Sequence, residues 1–252
     1  MIDSASALRI GCVKYLNARP LIHGWPGEVH FDHPAALCRM LATGELDVAF
    51  LSSFEFLRDP SYSIVDGVCV AADGPVYSVF VAHCQPLDRA DTITADPNSC
   101  TSVNLLRCLL AERHIDADLV SGAADAELLI GDQAIRFRQQ NEDDYHFWDL
   151  GEQWKLATGL PFVFALWLVR PEVRDAAAIA EQLRGLCRKN VAALGQLAAG
   201  QCEFAPEFCD RYFREHLRFT FGDREKQGLL HFRALCQKHG LLPPNATPLR
   251  LI

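Results

Sequence analysis

The stretch Arg9-Ile10-Gly11-Cys12-Val13-Lys14-Tyr15-Leu16-Asn17-Ala18-Arg19-Pro20 decides how the chain is read. Ile10 to Val13 is a short apolar run of strand character, and it gives way at Tyr15 to a polar loop that ends on Pro20. Proline disfavours helical geometry at the residue before it, so Arg19 is expected to be extended and the loop open. In α/β domains the ligand crevice lies beyond the carboxyl ends of the strands, which puts Tyr15 and Arg19 where a ligand would be held. Asn17 stands out between them, because its amide both donates and accepts. An Asx-turn before Pro20 is the ordinary alternative, and composition leaves both readings open.

Working outward, Leu21 to Trp25 reads as a short helix and Val29-His30-Phe31 as a second strand. Pro34 to Thr43 has the spacing of a helix, with Pro34 suited to its first turn and Gly44 to its stop. Asp47 to Leu51 is a buried strand that ends at Ser52-Ser53, where a helix from Phe54 to Leu57 begins. Strand, helix and strand in quick succession predict a parallel sheet. Ser52 and Ser53 suit a helix N-cap, and equally a cleft rim where free N–H groups and a hydroxyl take an anionic oxygen. Two further runs, Ser63 to Val65 and Val68 to Ala71, precede Val76 to Ala82, which is apolar on both faces as a strand crossing between two domains would be. Ser78 is its one polar member, and a bond to neighbouring backbone is its simplest role.

A second α/β rhythm follows. Thr92 to Ala95 is a strand, Asp96 to Ser99 a turn, and Thr101 to Glu112 an amphipathic helix whose start is crowded by Ser99, Thr101 and Ser102. Those three form either a redundant cap or a second polar rim. Asp125 to Asp132 then echoes Glu45 to Ser52: an acidic start, a buried strand and a small or polar tip. Gly131 leaves room for a ligand, and Asp132 suits the cap of the next helix. Asp149 to Thr158 reads as a helix stopped by Gly159, and Pro161 to Val169 as a second crossing. From Pro171 the chain reads as packing helices, broken near Gly200, Gly222 and Pro243.

With 252 residues, half of them hydrophobic, the chain can bury a substantial core. A net charge of −8 argues against a nucleic-acid surface, and no apolar run is long enough for a bilayer. The N-terminus lacks a signal-peptide pattern, so a cytoplasmic location is expected, with no membrane partner. Ten cysteines without regular spacing fit small core residues better than disulfides; Cys12, Cys69, Cys100, Cys108, Cys187 and Cys236 are placed so. No Cys-x-x-Cys and no helical His pair occurs, so no metal site is expected. His30, Asp32 and His33 read as a solvated loop, and the oligomeric state is not legible.

Four separated blocks give the chain a family likeness: Tyr15-Leu16-Asn17-x-x-Pro20, Asp47 to Glu55, Asp73-Gly74-Pro75-Val76-Tyr77-Ser78-Val79, and Asp149-Leu150-Gly151-Glu152-x-Trp154 with Thr158 to Phe164 behind it. Gly222-Asp223-Arg224-Glu225-Lys226-x-Gly228-Leu229 adds to them. Together they resemble the menaquinone-pathway chorismate dehydratases. The resemblance implies an α/β, two-lobed periplasmic-binding-protein type II-like fold with an inter-lobe cleft. Lobe one is placed at residues 1–82 and 166–252, and lobe two at 83–165. It also implies dehydration of chorismate to 3-(1-carboxyvinyloxy)benzoate without cofactor or metal. Asn17 and Ser78 would be catalytic, holding carboxylate and enolpyruvyl arm, with Ser52, Ser53, Thr101 and Ser102 as further donors. Lys14 departs from the small polar or arginine side chain the family pattern implies at its position. A solute-binding protein for a small anion is the rival on the same fold. A later enzyme of the pathway shares it too, but opens with a Pro-Asn-Asp type loop that this chain lacks.

Overall fold

The computed structural model describes residues 8–95, 99–200, 203–244 and 247–252, so the expected turn at 96–99 lies, but for Ser99, outside the described residues. In chain order the first elements are β1 (Ile10–Val13), a 3-10 turn (Leu16–Ala18), α1 (Arg19–Ile22), β2 (Val29–Asp32), α2 (Pro34–Thr43), β3 (Val48–Ser52), α3 (Ser53–Arg58) and β4 (Ser63–Ala72). Next come β5 (Val79–His83), β6 (Thr92–Ala95), α4 (Cys100–Glu112), β7 (Asp118–Val120), β8 (Ala126–Ile130), α5 (Gly131–Gln140), β9 (His146–Asp149), α6 (Leu150–Thr158) and β10 (Phe162–Val169). The remainder is α7 (Ala176–Ala192), α8 (Leu194–Ala199), α9 (Pro206–Arg211), a π-helical turn (Tyr212–His216) and α10 (Asp223–Lys238). No helix among the described residues is long and apolar enough to cross a membrane.

The strands form two five-stranded sheets, ordered β2-β1-β3-β10-β4 and β7-β6-β8-β5-β9. Both follow one plan. Three parallel strands come first, then one that runs against them and a last one that again runs with them. The sheets are therefore mixed where the strand–helix–strand rhythm predicted parallel pairing, because the fourth strand of each is entered from the other lobe and must run backwards. Ser63–Ala72 is one irregular strand rather than two, with Gly67 in left-handed geometry. The short edge strands β7 and β9 carry no alternation of their own and escape a reading of periodicity. Burial explains the central strands: every residue of β3 is buried, and Phe50 packs on Trp167 of β10 with ring centroids 5.2 Å apart.

Sheet membership puts the crossings at residues 73–78 and 159–161. The expected divisions at 82 and 166 fall inside β5 and β10, so both need shifting. Asp149 joins the first crossing to α6: its carboxylate accepts from Val76 N at 3.0 Å and Tyr77 N at 2.7 Å while capping α6 through Glu152 N at 3.0 Å. That grip holds Tyr77 at φ +67°, a left-handed backbone that costs a residue with a Cβ about 1–2 kcal/mol. Asp73 bonds Lys155 at 2.5 Å and Arg224 at 3.2 Å, and Arg224 also donates to Gly159 O at 2.9 Å, so α6 and α10 fasten both crossings. Backbone approaches backbone here. A Cβ on Gly151 would lie 2.6 Å from Gly74 O, and one on Gly228 would lie 2.1 Å from Pro161 O.

Two other expectations are corrected. Arg19 is helical, with φ −53° and ψ −45°, and Pro20 sits in the first turn of α1, where a missing N–H costs nothing. The C-terminal part is not helical throughout. Arg218 pairs with Ala71, and Arg250 to Ile252 pair with Ile64 and Asp66, so extended segments lie against β4.

Candidate functional site

Four chain reversals meet between the sheets: the 3-10 turn after β1, the start of α3 after β3, the start of α4 behind β6, and the start of α5 after β8. They enclose about 610 Å³ of empty space, part of it continuous with solvent. Its walls are apolar, with Val13, Leu51, Val70, Val76, Val79, Ile130 and Phe164 among them, and its polar groups are Tyr15, Asn17, Ser52, Ser99, Thr101 and Ser102. Among the described residues no carboxylate, imidazole, guanidinium or ammonium group lines it. Beyond Tyr15 and Ser99 the space widens into a charged mouth bearing Asp32 and His33 just before α2 and Arg39 within it.

The helix starts differ from the sequence expectation in an informative way. Ser52, Ser99 and Ile130 occupy the N-cap positions of α3, α4 and α5, and none of these helices has a side-chain cap bond. The expected caps bond across the cleft instead. Ser52 Oγ shares a short hydrogen bond with Thr101 Oγ1, which also accepts from Phe54 N at 3.2 Å. Asp132 Oδ1 accepts from Leu16 N at 2.8 Å. Burial raises the Asp132 carboxyl above the ordinary carboxylate range, against the opposing pull of the Leu16 N–H, Arg136 and Arg19. Gly131 holds φ +64°, and a Cβ there would fall 2.8 Å from the Tyr15 ring, so the glycine lets the second lobe close on Tyr15.

Of the residues singled out from sequence, Tyr15, Asn17, Ser52, Ser99, Thr101, Ser102 and Gly131 line the cavity. Four do not. Arg19 and Lys14 are exposed, and Ser53 is buried with its hydroxyl donating to Val163 O at 2.7 Å. Asp132 lies behind Gly131 on Leu16 N. Ser78 is fully buried behind the wall, and its Oγ is 2.7 Å from the Tyr212 hydroxyl. The Asn17 side chain lies near enough to the Tyr212 phenol to act on it as a hydrogen-bonding partner as well. Sequence reasoning missed Tyr212, which sits in a run of aromatic and charged residues that signals only a packed helix. Cys100, expected in the core, is half-buried on the cavity wall, because α4 begins there rather than one residue later.

A family model described as menaquinone biosynthesis matches residues 8–238. The chorismate dehydratase of Thermus thermophilus is 31% identical over 219 residues, which is 76% of this chain and 80% of that one. Among solved structures, a protein of Archaeoglobus fulgidus superposes with a TM-score of 0.70 at 15% identity, covering 93% of this chain and 98% of its own. The alkanesulfonate-binding protein of Xanthomonas axonopodis pv. citri, bound to MOPS, superposes with a TM-score of 0.67 at 14% identity over 94% of each chain. These likenesses show the architecture: two α/β lobes on the plan of the type II periplasmic binding proteins.

Proposed function

The chain belongs to the menaquinone-biosynthesis family, and from that premise we propose that it is a lyase that removes water from chorismate to give 3-(1-carboxyvinyloxy)benzoate. The observation that carries the reading is the likeness over most of both chains to a chorismate dehydratase, combined with a cavity whose polar groups are neutral donors and acceptors. The chemistry suits such a lining. The ring hydroxyl leaves with the proton of the neighbouring carbon that carries the enolpyruvyl ether, and the ring becomes aromatic. Aromatisation supplies the driving force, so the protein has to fix the conformer, stabilise developing charge and give one proton a destination.

Asn17 is the one carboxamide of the cavity among the described residues, and it holds a substrate carboxylate or the departing oxygen. Ser52, Thr101 and Ser102 supply further contacts from both lobes. The net charge of −8 opposes a dianion, so local donors do the binding: the start of α4 inside the cavity, and Arg39 with the start of α2 at its mouth. Among the described residues no carboxylate or imidazole of the lining stands ready as a base, and a carboxylate of the substrate acting on its own ring proton fits that lining.

The test is direct. Purified protein is given chorismate, and the aromatic product is followed by chromatography, with Asn17→Ala in parallel. Product formation that falls about 100-fold in the variant supports the reading. Saturable retention of chorismate without product would replace it by the binding-only role.

A further inference from the structure

Behind the cavity wall lies a polar group that the proposed chemistry has not used. Tyr212 is 1% exposed and begins the π-helical turn between α9 and the extended segment along β4, a geometry that recurs at functional sites. Its ring stacks on Phe208, with centroids 5.8 Å apart and planes 10° from parallel. The hydroxyl is thereby aimed at two partners far away in the chain, Ser78 in the first crossing and Asn17 in the turn after β1. Burial raises the phenol well above its ordinary value, against the hydrogen bonding with Ser78 and Asn17, so the group is a neutral hydroxyl with one proton to give and lone pairs to receive.

We propose that Tyr212 is a positioning residue for Asn17: its phenol oxygen accepts one N–H of the Asn17 amide, and its own O–H donates to Ser78 Oγ. An asparagine amide has two nearly isosteric ends, and the hydrogen-bond network alone selects which faces a ligand. With one N–H engaged behind the wall, the carbonyl oxygen and the second N–H face the cavity in a fixed plane. Without the phenol hydroxyl, the amide is free to turn over and presents two arrangements where the reaction uses one. Ser78 keeps its place in the site as the far end of this chain, and its backbone carbonyl accepts from Gly131 N at 2.8 Å, so the three residues also tie the crossing to the second lobe's tip. This assignment rests on the proposed dehydration for its kinetic consequence, but not for its structural one.

The experiment therefore has two arms. In the first, Tyr212→Phe keeps the stacked ring and removes only the hydroxyl. Its kcat on chorismate is expected to drop about tenfold or more with KM changed less than about threefold. Because the hydroxyl acts through the amide, adding Tyr212→Phe to Asn17→Ala should cost nothing further, whereas independent roles would multiply. A kcat at the parental level, or a double variant well below Asn17→Ala, overturns the proposal.

In the second arm, protein carrying isotopically labelled asparagine is studied by NMR. The Asn17 side-chain amide signal is assigned by its loss in Asn17→Ala. Two distinct protons with slow solvent exchange are expected in the parent, and exchange about tenfold faster in Tyr212→Phe. Equal exchange in the two proteins overturns the proposal whether or not chorismate is turned over, so an inactive parent defeats the dehydration alone. Should Tyr212→Phe fail to fold, Ser78→Ala removes the phenol's other partner and must loosen the amide in the same sense; an unchanged amide there is equally fatal.

Discussion

The two lobes reach across the cavity in the same way with different chemistry. In each, the strand at the middle of the sheet ends in a helix start that touches the other lobe. The tip after β3 meets Thr101 through the hydroxyl of Ser52 and the backbone of Phe54, and the tip after β8 meets Leu16 through the carboxylate of Asp132. The first contact is neutral and shares one hydroxyl between two groups. The second puts an ionisable group against a single N–H, at a position where burial already raises its pKa. The lesson is that matching topology fixes where lobes touch, and local residues decide how that contact responds to its surroundings.

The strongest way to break the comparison is Gly131→Ala. The corresponding start of α3 carries Ser53 without difficulty, whereas the new methyl would demand a left-handed alanine and meet the Tyr15 ring. A loss of about 3 kcal/mol in denaturant unfolding is expected, from backbone strain and overpacking together. Next comes Asp132→Ala, which leaves Leu16 N without its acceptor and should lower stability by about 2 kcal/mol in the same assay. Ser52→Ala should lower it by only about 1 kcal/mol, because Thr101 retains its bond from Phe54 N. Equal losses for Asp132→Ala and Ser52→Ala would mean that the charge difference is immaterial.

The smallest effect is the most specific. With its pKa raised in the folded chain, Asp132 holds its proton more tightly there than when unfolded. Its contribution is thus complete below the ordinary carboxylate value and is lost as pH rises through the raised one. Asp132→Asn keeps an oxygen for Leu16 N and cannot ionise. Its stability relative to the parent should therefore improve as pH climbs from about 4 to 7, as read from urea midpoints. A flat difference across that range would show that the carboxylate is solvated after all.

Much of this was legible in the sequence. Ile10 to Val13, Asp47 to Leu51 and Ala126 to Ile130 announce themselves by apolar runs, and the echo between the last two correctly paired the tips. Asn17, Ser52 and Thr101 could be placed at a cleft because they follow strands or begin helices. What could not be read depends on distance in the chain. The residues around Ser78 suggest only a backbone bond and the resemblance places it in the site, while its actual partner lies 134 residues away, and nothing near Tyr212 reveals that its hydroxyl looks inward. Serine and aspartate at a helix start have a local use that pattern reading favours, and only the opposite lobe shows that Ser52 and Asp132 are committed elsewhere.

The paired glycines at the crossings set the mechanics. Sliding between packed elements needs facing side chains that can exchange neighbours, and at Gly151 against Gly74 O, as at Gly228 against Pro161 O, the nearest approach is to backbone. Two such contacts define a line about which a rotation would disturb them least. Were the lobes to open about these two contacts, displacement would grow with distance from them, and the mouth at Arg39 would travel further than the depth beside Val76.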